Sequence, residues 1–243
     1  MWIREYNVDK EDGRVDRYRI LYEDEDVLVV YKVAGVAVQS ARVMEVDVMS
    51  LLRNELMERG VREPYLGLVN RLDQPVEGLL VFALTKTAAA DLSRQLAEGR
   101  LRKKYLAVLS GIPAEKEGTL VQYLRKDGRR SMTIVTDRPQ EGAKRAELSY
   151  RILSQRERQC LAEIEIATGR FHQIRAQMAH AGYPLAGDRK YGMPEQTTGS
   201  PALCAYWLSF QDTVSKQERQ FSTKPRNAAF SVFRAETGAL VAL

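Results

Sequence analysis

Residues 66–85 read LGLVNRLDQPVEGLLVFALT. An apolar approach leads into Asn70-Arg71-Leu72-Asp73, then a turn carrying Pro75 and Gly78, then the apolar run Leu79 to Leu84. A polar knuckle between two apolar segments puts a carboxylate and a guanidinium on a loop whose ends are anchored in a core, the usual placement for chemistry on a rigid scaffold. Alone, the stretch fits equally well a plain connection between strands, since Asp and Pro are ordinary turn residues and an Arg–Asp pair at a turn is usually solvated. A second stretch, residues 168–192, decides between these readings.

Composition sets the outer limits. A chain of 243 residues with 44% hydrophobic and 28% charged residues has enough apolar material for a substantial core and the balance of a globular protein. No apolar run approaches the roughly 20 residues needed to cross a bilayer, and the charged first dozen residues are no signal peptide, so a cytoplasmic protein without membrane association is expected. Cys160 and Cys204 are far apart, and His172 and His180 lie eight apart with no cysteine near, which excludes a disulfide framework and makes a metal centre an unlooked-for role. Thirty-seven Lys and Arg against 32 Asp and Glu give a net charge of +5. The excess is concentrated at Arg100, Arg102, Lys103 and Lys104, at Arg125, Lys126, Arg129 and Arg130, and at Lys144 and Arg145, as a polyanion-binding surface requires.

Periodicity supplies the elements. Residues 1–17 are polar and read as an arm or edge; residues 18–38 read as two short strands joined by an acidic turn at 23–26 and ending in a Lys32-Val33-Ala34-Gly35 corner. Val48, Leu51, Leu52, Leu56 and Met57 recur at helical spacing, with Asp47 placed to cap and Gly60 to stop the helix. Thr85 or Thr87 caps a second helix over residues 88–98, closed by Gly99. Strands follow at 103–109, 120–124, 132–135 and 146–153, with a hairpin turn at 126–129. Residues 160–166 alternate so that Ala162, Ile164 and Ile166 face in while Glu163 and Glu165 face out, with Cys160 as a buried thiol. A short helix runs from His172 through Ala181, and apolar segments at 203–210 and 230–233 are read as final strands. The pattern predicts an α+β fold with a large mixed or antiparallel sheet, flanking helices and a single domain over residues 18–243.

Gly169-Arg170-Phe171-His172-Gln173-Ile174-Arg175 places two guanidiniums, an imidazole and an amide at a helix entrance, a setting suited to an anionic backbone. Arg175, Met178 and Gly182 share a helical face, so Arg175 points inward and demands a carboxylate; Asp73 is the expected partner.

Taken together, Arg71-Leu72-Asp73 with Gly78-Leu79-Leu80, then Lys104-Tyr105-Leu106-Ala107-Val108-Leu109-Ser110-Gly111, then the Gly169 to Arg175 run and Gly187-Asp188-Arg189-Lys190-Tyr191-Gly192 closely resemble the RluA-type RNA pseudouridine synthases. The Lys32 to Gly35 corner is similar to that family's early lysine-containing motif, and the resemblance covers residues 20 to about 233. It implies the pseudouridine synthase catalytic fold and an isomerase that converts a uridine in structured ribosomal or transfer RNA to pseudouridine, without cofactor or metal. It implies that Asp73 is the essential catalytic group, that Tyr105 stacks on the base and assists removal of its carbon 5 proton, and that Arg175 pairs with the catalytic carboxylate. Whether the carboxylate adds to the sugar or abstracts a sugar proton stays open. Extrusion of the uridine from its stack is expected, with Arg71 filling the space left behind. Lys32, Arg170, His172, Gln173, Arg102, Lys103 and Lys104 are expected on the RNA.

The sequence departs from the family pattern at Asn70, where histidine is common, at Val33, where proline is usual, and at Gln211-Asp212, near an expected His-Pro. The start of the chain leaves no room for the small N-terminal RNA-binding domain of some relatives, so target choice falls to the catalytic domain or to RNA shape, and a monomer is expected. Two rival readings are a catalytically silent RNA-binding protein and a carbohydrate hydrolase using Asp73 and Glu77 as a carboxylate pair.

Overall fold

The computed structural model describes residues 17–41, 45–192 and 199–241; all but the last residue of the expected N-terminal arm lies outside them. In chain order the elements are β1 (Tyr18–Glu23), β2 (Val27–Lys32), α1 (Val48–Glu58), β3 (Gly67–Leu68), β4 (Glu77–Ala83), α2 (Lys86–Ala97), β5 (Arg102–Ser110), β6 (Glu117–Asp127), β7 (Met132–Thr136), β8 (Lys144–Arg156), β9 (Gln159–Ile166), α3 (Gln173–His180), β10 (Leu203–Gln211), β11 (Glu218–Ser222), a 3-10 turn at Ala228–Phe233 and α4 (Arg234–Val241). This is an α+β fold, as the periodicity predicts. The described residues fall into two compact units, one made of those up to Arg102 with Trp207–Thr223, the other of those between Lys103 and Tyr206 with those from Lys224 onward.

In the first unit β1, β2 and β4 form an antiparallel ladder, with Val29 opposite Val81 and Lys32 opposite Gly78. Every residue of β2 and β4 is buried, which is why both strands read as nearly continuous apolar runs. Val27, Val29, Leu79, Val81 and Ala83 pack with Ala88 and Leu92 of α2 and with Leu208 and Phe210. Each Val, Leu or Phe side chain among them contributes roughly 1.5–3 kcal/mol by leaving water. Asp47 caps α1 by accepting from Ser50 N at 2.7 Å, and Thr85 caps α2 by accepting from Ala88 N at 3.1 Å. Gly60 and Gly99 follow these helices at φ +94° and +71°, the left-handed stops the sequence calls for.

In the second unit the ladder runs β5, β9, β8, β6, β7, antiparallel at each step. Tyr105 lies opposite Ile164, and Ile164 opposite Tyr150. Two expectations are corrected here. Glu163, expected outward, is 6% exposed: β9 is central in the ladder, and the carboxylate is held by Tyr206, by Arg151 at 3.1 Å and by Lys104 at 3.4 Å. Residues 230–233, expected as a strand, form part of the 3-10 turn before α4, because Phe230 and Phe233, three apart, are buried together on one side of a helical turn. Cys160 is fully buried, and burial pushes its thiol up to about 11.

Candidate active site

In the first unit, the loop between β3 and β4 carries Asp73. Asn70 is 2% exposed and clamps the loop to β4, donating to the Leu79 carbonyl at 3.3 Å and accepting from Val81 N at 2.8 Å. Leu72 is buried, Arg71 is exposed and Asp73 half-buried. The Asp73 carbonyl accepts from Val76 N at 3.0 Å, closing the turn that Pro75 shapes. The next carbonyl, of Gln74, accepts from Gly35 N at 2.9 Å. The carboxylate is therefore carried on a loop fixed from both sides, with an arginine on its solvent face.

Lys32, expected on the RNA, is fully buried instead. Its Nζ donates to the carbonyls of Val33, Val36 and Gln74 at 3.0, 2.8 and 3.0 Å, so three ammonium protons tie the Lys32 to Gly35 corner to the Asp73 loop. Burial pushes its pKa down to about 7 against the pull of the Asp73 and Glu77 charges. It is a brace, and the correction follows from three carbonyls converging where water would otherwise sit. Glu77 is 3% exposed and accepts from the Tyr31 hydroxyl at 2.5 Å, which removes it from the solvent-facing carboxylate pair a hydrolase needs.

In the second unit, Tyr105 is 4% exposed on β5 and Arg175 is 3% exposed on α3. The inward reading of Arg175 is right, and the structure adds a carboxylate partner that the sequence reading gave no role. Asp188, fully buried, accepts from Arg175 Nε at 2.7 Å and Nη2 at 2.8 Å, and from the backbone N–H of Lys190 and Tyr191 at 2.9 and 3.3 Å. Burial alone raises the Asp188 carboxyl, but the guanidinium and the two amides outweigh it and hold it below the usual carboxylate range. The signal was available: a turn aspartate in Gly187-Asp188 stands only 13 residues from an inward arginine.

Gln173 and His172 are also buried, at 4% and 7%. Gln173 accepts from Thr168 Oγ1 and Arg170 N at 2.8 and 3.0 Å and donates to the Glu147 carbonyl at 2.9 Å, so it locks the strand-to-helix turn and is corrected from an RNA contact to a structural clamp. His172 begins α3 at φ +52°, with Nδ1 2.9 Å from the Tyr191 hydroxyl. Of the other residues expected on RNA, Arg170 is exposed, with Nε donating to the Arg145 carbonyl at 3.1 Å. Arg102, in the first unit, pairs with Glu218 at 2.8 Å and lies over the Trp207 ring. Lys104 is half-buried and paired with Glu163 and Glu165. Lys103 is half-buried too, its ammonium pushed by burial down to about 8.

The parts include a half-buried carboxylate on a pinned loop, a buried tyrosine and an inward guanidinium, with exposed arginines near the two motif loops. Such a carboxylate can serve as nucleophile or base. Among the described residues no group of three or more His, Cys, Asp or Glu is arranged to hold a metal, and no helix is long and apolar enough to cross a membrane.

A family model described as RNA pseudouridylate synthase matches residues 26–180. The chain is 37% identical over 188 residues to an uncharacterized RNA pseudouridine synthase, YlyB, of Bacillus subtilis, covering 73% of this chain and 58% of that protein. It is 33% identical over 239 residues to ribosomal large subunit pseudouridine synthase D of Neisseria meningitidis, covering 90% and 62%. A protein of the same name from Zymomonas mobilis is 34% identical over 224 residues, covering 84% and 68%. The chain thus spans 58% and 62% of the first two relatives. Two solved human structures, RNA pseudouridylate synthase domain containing 4 and 1, superpose with TM-scores of 0.74 and 0.72 at 21% and 24% identity, over 90% and 89% of this chain and 93% and 86% of theirs, and share its fold. The chain belongs to the RNA pseudouridylate synthase family.

Proposed function

We propose that the protein is an RNA pseudouridine synthase that isomerises a specific uridine in structured RNA. The observation that carries the reading is the family match over residues 26–180, which includes Asp73, Tyr105 and Arg175. The names of two relatives at 33% and 34% identity point to ribosomal RNA of the large subunit as the first substrate to try, with transfer RNA second. The protein acts in the cytoplasm as a monomer with RNA as its partner, and needs neither metal nor cofactor.

The reaction conserves every atom. The bond between C1′ and N1 of the uridine breaks, the uracil turns, C5 bonds to C1′, and the C5 hydrogen leaves as a proton while N1 gains one. Asp73 starts the reaction by adding to C1′ or by taking a sugar proton, Tyr105 supports the base and assists removal of the C5 proton, which passes to solvent, and Arg175 supplies positive charge that favours the ionised carboxylate. The uridine leaves its stack to react, and exposed Arg71 takes its place. Exposed Arg170 and Arg102 hold phosphates.

The test is incubation with tritiated-uridine ribosomal RNA and detection of pseudouridine. Asp73→Asn abolishes the product while RNA affinity stays within a small factor, because phosphate contacts supply most of that affinity. Turnover by the Asn variant refutes the assignment. RNA bound but unchanged by the wild-type protein supports the silent binder instead, and a cleaved glycan would support the hydrolase that the buried Glu77 disfavours.

A further inference from the structure

Phe171 has no part in this chemistry, yet the residue is 39% exposed and its ring is held in place. One face lies on the His172 imidazole, with centroids 3.8 Å apart and planes 21° from parallel. His172 is itself buried and meets Tyr191 Oη at 2.9 Å, and that oxygen accepts from Thr133 N at 2.6 Å. The same threonine donates its hydroxyl to the Phe171 carbonyl at 2.6 Å. An exposed aromatic pinned at its backbone and its back face has little freedom left to lose when something stacks on it.

The outer face is under Lys126, whose Nζ is 4.7 Å from the ring centroid. Lys126 lies opposite Thr133 in the β6–β7 hairpin, which also carries exposed Arg125, Arg129 and Arg130. Lys144 and Arg145 stand opposite Leu124 and Tyr123 in β8. Arg170 reaches the Arg145 carbonyl at 3.1 Å, and Lys190 the Ser131 carbonyl at 2.8 Å. Among the described residues only Arg145 of this group has a carboxylate within ion-pair distance, Glu147 at 2.6 Å. Cations on the neighbouring strands and loops, all but Arg145 without a carboxylate at ion-pair distance among the described residues, beside one rigid aromatic fit a ligand that offers phosphates and flat bases together.

We propose that Phe171 is the stacking platform for one unpaired nucleotide of the RNA, other than the target uridine, and that the β6–β7 hairpin with Arg170 takes the phosphates beside it. The proposal rests on the reading that the partner is RNA. As the base arrives, Lys126 swings from the ring to a phosphate, exchanging a weak exposed cation–π contact for a stronger stack. Every base has a π-face, so the platform sets affinity and register rather than reading sequence.

The test uses the full chain and an RNA stem–loop with 2-aminopurine placed in turn at each unpaired position, alongside turnover on ribosomal RNA. Wild-type protein quenches the fluorophore at one position. Phe171→Ala removes that quench and weakens binding roughly ten-fold, as loss of one base stack does, raising KM while kcat stays near wild type; Phe171→Tyr restores both. Replacing Lys126 and Arg129 with Gln lowers the salt dependence of binding and keeps the quench. Wild-type affinity and quenching in Phe171→Ala overturn the platform, as does a variant that loses kcat and thermal stability with KM unchanged, since the ring would then only buttress His172. Quenching by a wild-type protein that makes no pseudouridine overturns the functional reading and leaves the platform standing.

Discussion

Asp188→Ala is the sharpest test of how the Arg175 guanidinium is held. Asp188 is fully buried and accepts two hydrogen bonds from Arg175 and two from backbone amides, while Arg175 is only 3% exposed. Removing one member of a buried ion pair costs roughly 3–5 kcal/mol, because the remaining charge keeps its desolvation penalty and loses its partner on that side. Against a typical stability of about 5–15 kcal/mol, that is a third or more of the total. Urea unfolding at pH 7 measures it. Arg175→Leu with Asp188→Ala then loses about 2 kcal/mol less than the two single losses added, since both singles remove the same contact. The sign with pH follows from the depressed Asp188 pKa. Its contribution is full above the unfolded carboxyl value near 3.9 and disappears as pH falls through the lower folded value. The wild-type advantage over Asp188→Ala therefore shrinks below about pH 4. A loss under about 1 kcal/mol at pH 7, or additive single variants, refutes the pairing as the anchor of Arg175.

Two other perturbations follow from the Asp73 loop. A buried lysine with a folded pKa of about 7 leaves the unfolded chain binding more protons up to its ordinary value near 10.4, so stability rises with pH across that window. Lys32→Met abolishes this rise, worth at most about 5 kcal/mol, in urea melts taken between pH 7 and 10; an unchanged rise places its source elsewhere. Asn70→Ala leaves the Val81 amide and Leu79 carbonyl without their side-chain partner and costs about 2–4 kcal/mol in the same assay. A cost near zero there means that water replaces the clamp.

What the sequence made legible is what short-range chemistry decides. Asp47 and Thr85 cap their helices within three residues, and Gly60 and Gly99 take the left-handed conformation that ends a helix, so each is readable from its neighbours alone. Strand alternation located β5 and β9 but misassigned Glu163. Period two puts a polar residue outward only when one face meets water, and this carboxylate is enclosed by Tyr206, Arg151 and Lys104, 43, 12 and 59 residues away. Lys32 fails for a related reason. A lysine at the end of a strand ordinarily reaches solvent, and nothing local announces that the Gln74 carbonyl, 42 residues on, will complete its acceptor set. The Asp73, Tyr105 and Arg175 motifs were legible by resemblance; what brackets them was not.

That difference sorts the motif residues into two physical classes. A loop between strands has no ladder to satisfy its backbone, so buried side chains do the work: Lys32 and Asn70 around Asp73, Gln173 and Asp188 around Arg175. Each satisfies a buried polar group that would otherwise lack that partner. Arg71 and Arg170, in the same motifs, are exposed, although Arg170 Nε still donates to the Arg145 carbonyl at 3.1 Å. Under the proposed function, substitutions in the first class should therefore lower unfolding free energy and kcat together, because they loosen the groups proposed to react, whereas substitutions in the second should raise KM and reduce the salt dependence of RNA binding without moving the melt. Proximity to Asp73 in sequence does not separate the two classes, since Asn70 and Arg71 are adjacent. Burial does.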